Sequence, residues 1–76
     1  MDWQTSVLTA IRRLCNRRNT HIFTRQDLID EELDRIVNET QSRGSTPAQT
    51  MSRVLQELRD LDHIEFLDNQ GTYRLR

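Results

Sequence analysis

Apolar residues at Trp3, Val7, Ala10 and Leu14, flanked by Leu8, Ile11 and Cys15, recur at steps of three and four and predict a helix over residues 3–17. Thr20-His21-Ile22-Phe23 is short and rich in branched and aromatic side chains, which suits a small strand. Thr24 followed by Asp27 resembles a capping box with Asp in place of Glu, opening a second helix whose apolar positions are Leu28, Ile29, Leu33, Ile36 and Val37. The polar stretch 39–45, with Gly44, reads as a connection. Thr46-Pro47-Ala48-Gln49 then puts a capping hydroxyl first, Pro at the first helical position and Gln where it can reach back. A third helix therefore starts at Pro47, and Met51, Val54, Leu55, Leu58 and Leu61 fall on one stripe facing a core. Ile64–Leu67 and Thr72–Leu75 are strand-like and flank the turn Asp68-Asn69-Gln70-Gly71, a β-hairpin that aims Ile64, Phe66, Tyr73 and Leu75 at the same core.

Helix, short strand, helix, helix, hairpin is the order of a winged helix-turn-helix domain of the α+β class, expected to occupy residues 1–76 as one unit. That fold commonly inserts its third helix into the major groove of duplex DNA while the hairpin touches the backbone. Fold by itself does not fix function, so specific residues must carry the claim.

A chain of 76 residues has room for one small domain, which buries only about 60% of the surface its unfolded form exposes, so a large enclosed active site is not expected. Charged residues at 30% against 34% hydrophobic mark a globular chain rather than a disordered one. Apolar runs are far shorter than a membrane span, no apolar signal region follows Met1, and the single Cys15 cannot form an internal disulfide; together these lead to the expectation of a cytoplasmic protein. All eleven basic residues are Arg. The lack of Lys rules out a phosphate loop ending in Gly-Lys-Ser/Thr and a Schiff-base amine.

The charges are segregated. Asp2 against Arg12, Arg13, Arg17, Arg18 and Arg25 leaves residues 1–25 at +4, whereas Asp27, Asp30, Glu31, Glu32, Asp34 and Glu39 against Arg35 leave residues 26–42 at −5. Arg43 and Arg53 make residues 43–56 +2, and the remainder is −2. A basic surface can thus exist on a chain of net charge −1, with Arg12, Arg13, Arg17 and Arg18 as a phosphate-facing ridge or as a solvated helix end. The acidic second helix would repel a phosphate backbone unless it lies away from the groove.

If Met51, Val54, Leu55 and Leu58 face the core, Gln49, Thr50, Arg53 and Gln56 lie on the other side of helix three. Gln pairs bidentately with adenine, Arg with guanine, and a Thr methyl can touch a thymine or adenine methyl group. Ser45 and Thr46 offer hydroxyls and free N–H groups at the helix start, Arg43 adds charge there, and Ser52 with Asn69 and Gln70 of the hairpin tip complete the expected DNA-contacting set. Thr46 is expected to be a helix cap in any case. His21, His63 and Cys15 match no compact zinc spacing, Trp3, Phe23, Phe66 and Tyr73 sit at core positions, and Asp27, Asp30 and Asp34 read as a solvated face. No metal, cofactor or catalytic set is expected.

The strings Phe23-Thr24-Arg25-Gln26-Asp27-Leu28, Leu55-Gln56-Glu57-Leu58-Arg59-Asp60, Ile64-Glu65-Phe66-Leu67 and Gly71-Thr72-Tyr73-Arg74-Leu75-Arg76 resemble the C-terminal winged helix of DpnI-type, methyladenine-dependent restriction endonucleases. The resemblance covers roughly the last 50 residues. It implies a double-stranded DNA-binding module that reads 6-methyladenine sites beside a nuclease domain, fused or separate, for which this chain has no counterpart. The family pattern puts Gly between helix three and the strand, where this chain has Asp62-His63, and basic residues in the wing, where this chain has Asp68-Asn69-Gln70. Asp tolerates left-handed backbone, which preserves the turn. Two alternatives are a winged helix used for protein association through the acidic helix or Leu67, and a small transcription regulator acting as a weak dimer.

Overall fold

The computed structural model describes residues 2–41, 46–68 and 70–76. Its elements are α1 (Trp3–Arg18), β1 (Ile22–Thr24), α2 (Arg25–Thr40), α3 (Pro47–Asp60), β2 (Ile64–Phe66) and β3 (Thr72–Leu75). Three helices pack together beside a three-stranded antiparallel sheet of order β1-β3-β2, so the first strand, remote in sequence, closes the hairpin's free side.

Helix starts follow local chemistry. Asp2 accepts from the Thr5 N–H at 2.7 Å to cap α1, and Thr24 and Asp27 form the expected reciprocal box at the head of α2, with bonds of 3.0 and 3.2 Å. Helix ends use left-handed residues, and none of them is Gly: Asn19, Gln41 and Asp62 have φ of 54°, 52° and 65°. Behind Asn19 the Thr20 N–H reaches the Cys15 carbonyl, and behind Asp62 the His63 N–H reaches that of Leu58, each at 3.0 Å, the six-to-one bond that stops a helix. Asp62 thus does the work expected of it in place of Gly. The first stop also withdraws Thr20 and His21 from the strand predicted over 20–23, so β1 begins at Ile22. In the other direction α2 runs through Thr40, absorbing Glu39 and Thr40 from the predicted connection; the Thr40 hydroxyl donates to the Ile36 carbonyl at 2.8 Å.

The core takes Val7, Ala10, Ile11 and Leu14 from α1, Leu28 and Ile36 from α2, and Met51, Val54, Leu55 and Leu58 from α3. The sheet adds Phe23, Ile64 and Tyr73, with Phe66 and Leu75 packed against them. The register sets Phe23, Tyr73 and Phe66 in one row, with ring centroids 5.3 and 4.8 Å apart. Leu61 does not join the α3 stripe. The helix stops at Asp60, the chain reverses at Asp62, and Leu61 is left 55% exposed.

Candidate nucleic-acid interface

Because α3 spends its apolar stripe on the core, its remaining side carries Gln49, Arg53 and Gln56 outward, all three exposed. Spaced i, i+4 and i+7, they form one strip about 10 Å long, the rise of three stacked base pairs. Among the described residues none of the three side chains has a hydrogen-bond or ion-pair partner. An amide, a guanidinium and an amide are therefore free to bond outside the domain.

The other expected contacts divide. Arg43, Ser45 and Asn69 lie outside the described residues. Thr50 is half-buried, its hydroxyl turned back toward the Thr46 carbonyl at 3.5 Å. Ser52 is engaged on both sides: its Oγ accepts from Arg25 Nε at 2.7 Å and donates to the Ala48 carbonyl at 3.3 Å. Gln70 is exposed at the hairpin turn, where its N–H and that of Thr72 donate to Asp68 Oδ1 at 2.8 and 3.1 Å. Those two bonds hold the Asp68 carboxyl below its ordinary range.

Thr46 does not cap α3 with its side chain. A side-chain cap requires extended backbone, as at Thr24 (φ −118°, ψ 158°), whereas Thr46 has ψ of 68° and contributes only its carbonyl, which accepts from the Gln49 and Thr50 N–H groups at 3.1 and 3.2 Å. The expected reach-back from Gln49 is likewise not made.

The α1 arginines do not form a free ridge. Helices α1 and α2 run antiparallel, so the basic end of one lies along the acidic face of the other. Arg13 grips Glu32 with two bonds of 3.0 and 2.7 Å; Arg17 pairs with Glu31 at 2.8 Å and Glu32 at 3.6 Å; Arg18 pairs with Asp27 at 3.2 Å and with Glu31. At the far end the Ser6 hydroxyl donates to Glu39 at 2.9 Å. Glu32 is 3% exposed, so the acidic helix is not merely a solvated face. Arg13 holds the Glu32 carboxyl below its ordinary value against the opposing effect of burial. Burial also pushes the Asp27 carboxyl up, but the Thr24 bonds and Arg18 prevail and lower it. The i, i+4 rhythm of acids in α2 was the available signal for this pairing, though nothing local names α1 as its partner.

Arg12 stays exposed beside a cleft of about 270 Å³ whose wall also includes Cys15, Asn16 and His21. His63 is not part of that wall, burial raises the Cys15 thiol, and no three metal-ligating side chains come together among the described residues. No helix here is long and apolar enough to cross a membrane among those residues. No protein-family model, curated protein or solved structure matches the chain.

Proposed function

We propose that this chain is a winged helix-turn-helix domain that binds double-stranded DNA, with α3 as the reading helix and the β2–β3 hairpin as the wing. The observation that carries the reading is the strip of Gln49, Arg53 and Gln56, without side-chain partners among the described residues, on a helix whose opposite side is committed to the core. Three helices and an antiparallel sheet in which β3 lies between β1 and β2 support it, as an arrangement that leaves α3 beside an exposed hairpin. The side-chain types fit major-groove edges: Arg53 suits guanine, and Gln49 and Gln56 suit adenine. Withdrawal of Arg13, Arg17 and Arg18 into ion pairs lowers the share of sequence-independent affinity that a broad basic surface would supply and leaves more of the binding to α3. Recognition of 6-methyladenine and association with a nuclease domain belong to the same reading.

Fluorescence anisotropy with labelled duplexes, with and without 6-methyladenine, tests it. Arg53→Ala is expected to weaken binding to the preferred duplex by about 1 to 3 kcal/mol and to random duplex much less. Equal losses on both reduce α3 to a phosphate contact, and equal affinity for methylated and unmethylated duplex removes the methyl clause. Absence of binding at low salt removes DNA altogether and favours protein association, for which Ile22, Leu61 and Leu67 are exposed apolar contacts.

A further inference from the structure

Arg25 differs from the other arginines that hold fixed positions. Arg13, Arg17, Arg18, Arg59, Arg74 and Arg76 each have a carboxylate partner. Arg25 is half-buried, yet among the described residues its guanidinium is bonded only to neutral acceptors: Nε to Ser52 Oγ at 2.7 Å and Nη2 to the Ala48 carbonyl at 3.2 Å. Among the described residues no carboxylate stands within ion-pair distance of it.

Its place in the fold is equally specific. As the first residue of α2 it donates its backbone N–H to the Gly71 carbonyl at 2.9 Å, which ties it to the hairpin, while its side chain crosses to the first turns of α3. Gly71, at φ 90°, keeps the hairpin close: a Cβ there would stand 3.6 Å from the Arg25 Cβ. Arg25 thus sits where α2, α3 and the hairpin meet, next in line to Arg53, which follows Ser52 and has no carboxylate partner among the described residues.

A guanidinium has five N–H donors, and two are occupied here. The neutral acceptors fix its orientation without cancelling its charge. A cation held partly away from water and unneutralised favours an arriving anion, and its orientation has been set before the anion arrives. Against this stands Asp68 in the hairpin turn, whose charge and that of Arg25 act in opposite senses on the Tyr73 hydroxyl. Asp68 spends Oδ1 on two backbone N–H groups and forms no ion pair with Arg25.

We infer that Arg25 is a pre-oriented phosphate contact: its remaining donors take one phosphodiester of the duplex in the notch between α3 and the hairpin, with Ser52 and Ala48 as the positioning groups. The inference rests on the DNA-binding reading of α3 and adds to it a sequence-independent contact that registers the helix on the backbone.

The experiment measures affinity for a preferred and a random duplex over a range of salt concentrations, with melting curves as the fold control. Arg25→Met is expected to weaken both duplexes by the same factor and to make the log-log salt slope shallower by about 1. Arg25→Lys is expected to keep the wild-type slope. If Arg25→Met and Arg25→Lys are equally impaired with the wild-type slope retained, Arg25 is only a structural clip and the inference fails while DNA binding stands. If the wild type binds no duplex, the α3 reading fails, and the Arg25 Nε–H resonance of the wild-type protein titrated with inorganic pyrophosphate decides the remaining question. A saturable displacement larger than that of the Arg13 Nε–H supports the anion seat, and none overturns it. That titration also decides the case if Arg25→Met does not fold.

Discussion

At the scale of single residues, the most consequential side chain is one that composition places on the surface. Glu32 is a carboxylate in a run of acids, yet it is nearly fully buried because Arg13 occupies both of its oxygens. Removing one member of such a pair leaves the other with a desolvated charge, so Glu32→Ala is expected to destabilise the fold by about 2 to 3 kcal/mol, below the range for a fully buried pair because Arg13 remains 29% exposed. Urea denaturation checks it, and a loss within about 0.5 kcal/mol, the surface norm, would place Glu32 in solvent. The same group sets an acid limit. Its folded pKa and that of Asp27 lie below their unfolded values, so their contribution is complete above the unfolded values of 4.5 and 3.8 and is lost as pH falls through the folded ones. Stability followed by denaturation is expected to be level from neutral pH down to about 5 and then to decline; it should decline less in Glu32→Gln.

At the scale of elements, two threonines with the same sequence credentials behave differently. Thr24 bonds the Asp27 N–H and Thr46 bonds nothing with its side chain at the N-terminus of α3. Thr24→Ala is therefore expected to cost about 1 kcal/mol and Thr46→Ala only a few tenths, a difference that paired thermal melts resolve. Pro47 explains why α3 tolerates this: it occupies the first helical position and brings no N–H to satisfy. The packed side of α3 is far less forgiving. Leu58 is 1% exposed in the common core, and Leu58→Ala is expected to cost about 2 to 5 kcal/mol. A denaturation midpoint unchanged by that substitution would be incompatible with the register of the helix.

At the scale of the whole molecule, charge pairing between α1 and α2 decides how the domain meets a polyanion. With Arg13, Arg17 and Arg18 held by carboxylates and Arg59 paired with Asp60, the described cations on α3 or bonded to it that have no carboxylate partner are Arg53 and Arg25. Two such contacts give a log-log salt slope of about −2 on duplex DNA, shallow for a DNA-binding domain. Arg17→Met is expected to leave that slope unchanged, since Arg17 already serves Glu31 and Glu32, and Arg53→Met is expected to alter it or the preference between sequences. A slope near −5 would mean that the α1 arginines leave their partners when DNA arrives.

Features that depend on near neighbours are legible along the chain. The three- and four-residue spacing of Val7, Ala10, Ile11 and Leu14 and of Met51, Val54, Leu55 and Leu58 settles which helix sides are buried, because a helix brings such positions to one side wherever it packs. Thr24 with Asp27, Asp62 in left-handed backbone and Gly71 in the hairpin turn were legible for the same reason: each acts within a few residues of itself. Contacts between distant segments are not legible there, because they arise from packing. The pairing of β1 with β3, the burial of Glu32 under Arg13, the engagement of Ser52 by Arg25 and the exposure of Leu61 all depend on which surfaces meet. A periodic pattern marks a face but does not name its partner, and the acidic rhythm of α2 does not say that Glu32 meets an arginine 19 residues away in sequence. The outward strip of Gln49, Arg53 and Gln56 was foreseeable by subtraction from the core stripe, whereas the uncompensated charge of Arg25 emerged only once every other fixed arginine had found its carboxylate.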